Sequence, residues 1–149
     1  MDKYPRQGTR EKKENGEEKI RDKIKNITFL DSNNDIIPEL LDRDAQSIAT
    51  EFYKKISTHQ VRRFYDEVKR YQADIEKGKP YKDVKPFILM LKSKAKYAAS
   101  KLSEMKIFYE FIEGSINKIK DADEEIERKR FSAFCLFFEA VYGFADLKK

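Results

Sequence analysis

Apolar residues in this chain recur at helical spacing, and that period constrains the fold more than any other feature. Val61, Phe64, Tyr65, Val68, Tyr71 and Ile75 fall at i, i+3, i+4, i+7, i+10 and i+14, which is one stripe along a helix. The stripe predicts a helix over His59–Glu76, with Ser57 and Gln60 at capping-box spacing before it and Gly78 and Pro80 as its stop. Leu41, Ala45, Ile48, Ala49, Phe52 and Ile56 predict an earlier helix from Pro38 to Ile56. Pro86 opens a third, reaching Leu102, with Phe87, Ile88, Leu91, Ala95, Ala98, Ala99 and Leu102 as its buried stripe. A fourth, Ser103–Lys120, buries Met105, Phe108, Phe111, Ile112, Ile116 (or Ser115) and Ile119. Asp121-Ala122-Asp123 caps a fifth, and Glu124, Glu125 and Glu127 complement the positive end of its dipole.

Composition agrees with helices and leaves little room for sheets. Leu, Ile, Val and Phe make up 37 of 149 residues, enough for a core, while 40% of the chain is charged. Five Gly and four Pro are too few for the turns of a sandwich or barrel. The expected fold is all-α, a compact bundle of about five helices over residues 35–149. Residues 1–34 read as a charged N-terminal tail, mostly disordered, because residues 1–18 hold no aliphatic side chain. Within it, Ile20, Ile24 and Ile27 mark a short helix over 19–30, and Asp31–Asp35 reads as a turn. The run Phe131–Phe144 is apolar on nearly every side. It predicts a central helix whose uncovered part supports weak self-association.

Several functions are excluded at this level. No apolar run approaches the ~20 residues a membrane span needs, and no signal-peptide core opens the chain, so a soluble cytoplasmic protein is expected. One cysteine, Cys135, makes neither an internal disulfide nor a cysteine-based zinc site, and one histidine, His59, excludes a multi-histidine metal centre. His59 lacks a second catalytic group at fixed spacing, and Cys135 lies among phenylalanines as a small core hydrophobe. The acidic cluster at 121–125 lacks the glycine and spacing of a calcium loop, and no glycine-rich phosphate loop is present. No catalytic residue, metal or cofactor is expected.

Charge is the informative feature. The chain carries +5, but residues 54–106 hold fifteen Lys/Arg against six Asp/Glu, a net of +9. At about 100° per residue, Arg62 and Lys69 share one flank of the second helix, while Arg63 and Arg70 lie opposite its apolar stripe. On the third helix Lys94 and Lys101 lie seven apart with Tyr97 beside them, and Lys92 sits farther round. Seven residues span about 10.5 Å of helix, so such cations meet successive phosphates. Nothing resembles a helix-turn-helix, an RNP motif or a zinc finger. The expected nucleic-acid-binding set is therefore Arg62, Arg63, Lys69, Arg70, Lys92, Lys94, Tyr97 and Lys101, contacting backbone without reading bases. The competing reading is a helical interaction module whose basic face docks an acidic protein.

Three segments carry a family resemblance. Gln60-Val-Arg-Arg-Phe-Tyr-Asp-Glu-Val68, Lys85-Pro-Phe-Ile-Leu-Met-Leu-Lys-Ser-Lys-Ala-Lys-Tyr-Ala-Ala99 and Phe137-Phe-Glu-Ala-Val-Tyr142 resemble, in order and spacing, the Csm small subunit of type III-A CRISPR–Cas effector complexes. The resemblance covers roughly residues 38–146. The charged segment before residue 35 has no counterpart in that family. The resemblance implies a compact helical subunit, not itself a nuclease, whose copies line the crRNA–target RNA path beside backbone subunits. Target cutting would then belong to the backbone subunits, and DNA cleavage and cyclic oligoadenylate synthesis to the large subunit. Arg62, Arg63, Lys92 and Lys94 occupy motif positions, as do Lys85 and Tyr97. Lys69, Arg70 and Lys101 rest on helical geometry alone.

Overall fold

The computed structural model describes residues 17–52 and 56–145. Among them are six α-helices: α1 (residues 17–26), α2 (Arg43–Phe52), α3 (Thr58–Glu76), α4 (Tyr81–Lys101), α5 (Lys106–Ile119) and α6 (Glu124–Phe144). No strand occurs among the described residues; one isolated antiparallel bridge joins Leu30 to Ile36. The turn expected at Asp31–Asp35 closes beneath that bridge. Asp31 Oδ1 accepts the N–H groups of Asn33 and Asp35 at 2.8 and 3.0 Å, and Asn34 takes φ 64°, which asparagine tolerates better than most residues.

Local chemistry explains where each helix starts. Ser57 Oγ accepts the Gln60 N–H at 3.3 Å and Asp123 Oδ1 accepts that of Ile126 at 2.9 Å, so both caps legible in the sequence are made. The helix expected over Pro38–Ile56 is broken. Pro38–Leu41 is a 3₁₀ turn, Asp42 leaves helical geometry at φ −123°, and its carbonyl starts α2 by accepting the Gln46 N–H. Residues 53–55 lie outside the described residues. The third helix begins at Tyr81 instead of Pro86, five residues early. Buried Tyr81 and Val84 anchor its first turn, and Pro86 withholds a hydrogen bond only from exposed Lys82 one turn back. A 3₁₀ turn, Ser103–Met105, precedes α5.

The core is aromatic at its centre. Phe111 of α5 meets the rings of Phe52, Phe108, Phe134, Phe137 and Phe138 at centroid distances of 5.4–6.0 Å. Rings at such separations add about 0.5–1.5 kcal/mol per pair beyond the area they bury. The α6 run, expected to stay partly uncovered, is buried at Phe131, Phe134, Phe137, Phe138 and Val141 and exposed at Leu136, Glu139, Gly143 and Phe144, so its uncovered apolar part is confined to Leu136 and Phe144. Its neighbours include α2 and the segment after α1, where Phe29 meets the rings of Phe134 and Phe137. Ile20, Ile24, Ile27 and Phe29 are all buried in the same core, so the bundle takes in residues before the expected boundary at 34/35. Of the disorder expected for residues 1–18, residues 17 and 18 instead open α1, and residues 1–16 lie outside the described residues.

Candidate nucleic-acid interface

The short connection Lys77–Pro80 lets α3 and α4 pack side by side, and Gly78 at φ 108° makes the tight exit from α3. Between them runs an open groove of about 530 Å³. Arg63 and Glu67 reach it from α3; Lys94, Tyr97 and Lys101 reach it from α4. The two helices carry cations one turn or two apart, so packing them together converges charge that is separated by some 30 residues in the chain.

Electrostatics within the groove are specific. Lys94 Nζ stands 2.7 Å from Glu67 Oε2, and the Tyr71 hydroxyl donates to the same carboxylate. Burial alone pushes the Glu67 carboxyl up, but the bonds from Lys94 and Tyr71, with Arg70 nearby, overcome it and hold the group below its ordinary range. Burial and the same hydrogen bond push the Tyr71 phenol up to about 12. Lys101 Nζ lies 5.3 Å from the centre of the Tyr97 ring, and Tyr97 is 66% exposed. Arg62, Arg63 and Lys101 have no carboxylate partner among the described residues.

Of the eight residues expected to bind RNA, the structure brings Arg63, Lys94, Tyr97 and Lys101 into one groove. Arg70 lies along the same flank of α3, its guanidinium 5.4 Å from the Tyr71 ring. The others point elsewhere. Lys69 pairs with Glu139 of α6 at 2.7 Å, 5.9 Å from the Tyr65 ring. Lys92 donates to Asn117 of α5 at 3.0 Å. Arg62 is exposed, seven residues before Lys69 on that same flank. Lys85, a motif position, is engaged with buried Glu127.

Two features escaped sequence reasoning. Glu67 stands inside the basic groove, although its place one turn after Arg63 on the same flank was readable. Phe87 and Leu102, assigned to the buried stripe, are exposed. The early start of α4 centres its buried arc on Tyr81, Val84, Ile88, Leu91 and Ala95, which turns Phe87 outward. A second cavity, about 390 Å³, lies by the 27–31 segment. Its Lys118 and Arg130 donate to the carbonyls of Lys25 and Ile119, and Asp31 and Asp121 line it as well.

His59 is exposed and Cys135 is buried, its thiol pushed up by burial. No group of three His, Cys, Asp or Glu that could hold a metal occurs among the described residues. Nor is any described helix long and apolar enough to cross a membrane.

A small all-α bundle whose α3 and α4 frame a basic groove places the chain among compact helical-bundle proteins. Among these, the Csm2 Type III-A family model matches residues 36–145, and the chain belongs to that family. It is accordingly a small structural subunit of the type III-A Csm complex, alongside the other Csm subunits. No curated protein and no solved structure matches it.

Proposed function

We propose that this subunit holds crRNA and target RNA by their backbone in the α3–α4 groove, as a non-catalytic component beside the large and backbone subunits. The observation that carries this reading is the convergence of Arg63, Lys94 and Lys101 from two helices on one groove with exposed Tyr97. Arg63 offers a planar fork suited to phosphate oxygens, and Lys101 a point charge. Binding gains free energy by releasing counterions from the RNA, which makes it sequence-independent and steeply salt-dependent. Glu67 holds Lys94 in place and lowers the net charge of the groove.

The test is RNA affinity of the full chain across a salt series. Arg63→Ala with Lys101→Ala should weaken binding to every sequence alike and flatten the log–log salt slope by about 0.7–0.9 for each phosphate that is no longer neutralised. A loss that depends on RNA sequence, or wild-type binding to an acidic peptide but to no RNA, overturns the proposal.

A further inference from the structure

The exposed face of α4 does not end with its cations. Phe87, Met90, Lys94, Tyr97 and Lys101 fall at i, i+3, i+7, i+10 and i+14, within one narrow arc of the helix. Phe87 and Met90 are 50% and 48% exposed, unusual for large apolar side chains on a helix whose other face is buried. The Phe87 ring lies beside that of Tyr71 at a centroid distance of 6.4 Å. Tyr71 in turn bonds Glu67, the partner of Lys94, so the aromatic end and the basic groove form one continuous surface. Arg70 flanks the aromatic end, 5.4 Å from the Tyr71 ring, as Lys101 flanks Tyr97 at the other.

Two exposed rings about 15 Å apart along the helix, alternating with cations, are the elements of a stacking platform with a backbone track. A paired base has both its faces covered by neighbours and offers nothing to such rings except at a duplex end. An unpaired base offers its whole face. An acidic protein surface would satisfy the cations but leave Phe87 and Met90 without a counterpart.

We infer that the Phe87 end of this face takes an unpaired base, so that the groove prefers single-stranded RNA over duplex. The inference rests on the RNA-binding reading above and names the form of RNA that reading leaves open. Phe87 stacks, Met90 fills the space beside the base, and Arg70 and Lys94 hold the phosphates on either side.

The experiment measures fluorescence anisotropy of a labelled RNA of about 12 nucleotides, within the range of single-strand sites, alone and annealed to its complement. Phe87→Ala should weaken single-strand binding about tenfold, as loss of one stacked base does, and leave duplex affinity and the salt slope unchanged. Phe87→Trp should bind the single strand at least as tightly as wild type, and Phe87→Leu should behave like the alanine variant. Equal losses for both RNA forms, no loss at all, or full affinity in Phe87→Leu overturns the inference while leaving the basic groove intact. Wild-type protein that binds no RNA overturns the groove reading itself. Because Phe87 is half exposed, melting curves should match wild type; if the alanine variant melts early, the Leu–Trp comparison alone decides.

Discussion

The Lys85 ammonium stands 2.9 Å from a carboxylate oxygen of Glu127, a side chain only 2% exposed. Tyr81 donates its hydroxyl to the same carboxylate at 3.1 Å, and the Ala122 N–H donates at 3.2 Å. The start of α4 is thereby clamped to the start of α6. Lys85→Ala leaves a buried charge short of its counterion and should cost about 3 kcal/mol, the low end for such losses because Lys85 is 37% exposed. Lys85→Met combined with Glu127→Gln should recover part of it. Urea denaturation with unchanged m-value measures both.

Acid should reveal the same clamp. Burial pushes Glu127 up, but Lys85, the Ala122 N–H and Tyr81 together hold it below its ordinary 4.5, and Glu67 is held low by Lys94 and Tyr71 against the same opposing burial. A carboxyl depressed in the folded state adds stability above its unfolded pKa. That contribution is lost as pH falls through the folded value. Stability from these two groups should therefore be constant above about pH 4.5 and decline below it. Glu127→Gln should make the acid limb shallower in a denaturant series taken at several pH values; an unchanged limb refutes the linkage.

Glu67 is an anion inside a groove read as RNA-binding. Glu67→Gln should free Lys94 and raise RNA affinity severalfold, while Lys69→Ala, whose cation is already paired with Glu139, should change affinity least of the groove-side and flank lysines. Anisotropy titrations at fixed salt rank the variants, and a fall in affinity for Glu67→Gln counts against the groove.

Gly114 makes the close approach between α5 and α1. A Cβ there would stand 2.5 Å from Ile24 Cγ2. Gly114→Ala should cost about 1–3 kcal/mol by overpacking and speed amide exchange in residues 17–26. Ile24→Leu, which moves the branch away from Cβ, should relieve part of the cost in a double-mutant cycle.

Cys135 is buried and its thiol is pushed up by that burial. Thiol reagents should label it only as fast as the protein opens, and at its ordinary rate in denaturant. Rapid labelling of the native chain contradicts the buried placement.

What the sequence made legible was whatever is decided within a turn or two. The α3 helix was readable because Ser57, the apolar stripe and Gly78 all lie on it or beside it. Cation faces were readable for the same reason. Illegible were the partners: Lys69 meets Glu139 across 70 residues, and Lys85 meets Glu127 across 42. The start of α4 was misread because Pro86 suits a first turn, whereas Tyr81 gains a buried hydrogen bond to α6 that local rules do not see. The place of α1 in the core was missed because Ile20 and Ile24 sit in a strongly charged context, and two buried isoleucines per helix do not announce a core element.

The docking of α1 onto α5 bears on how the chain is made. Arg21 bonds Glu110 across 89 residues, and Lys118 reaches the Lys25 carbonyl across 93. At about 5–20 residues per second of synthesis, roughly 4–18 s pass between emergence of the first helix and emergence of its dock. During that interval Ile20 and Ile24 have no native partner on α5, while α3 and α4 can already pair with each other. Helix α1 is therefore a late arrival in the nascent subunit, and the groove between α3 and α4 is assembled before α1 docks on α5.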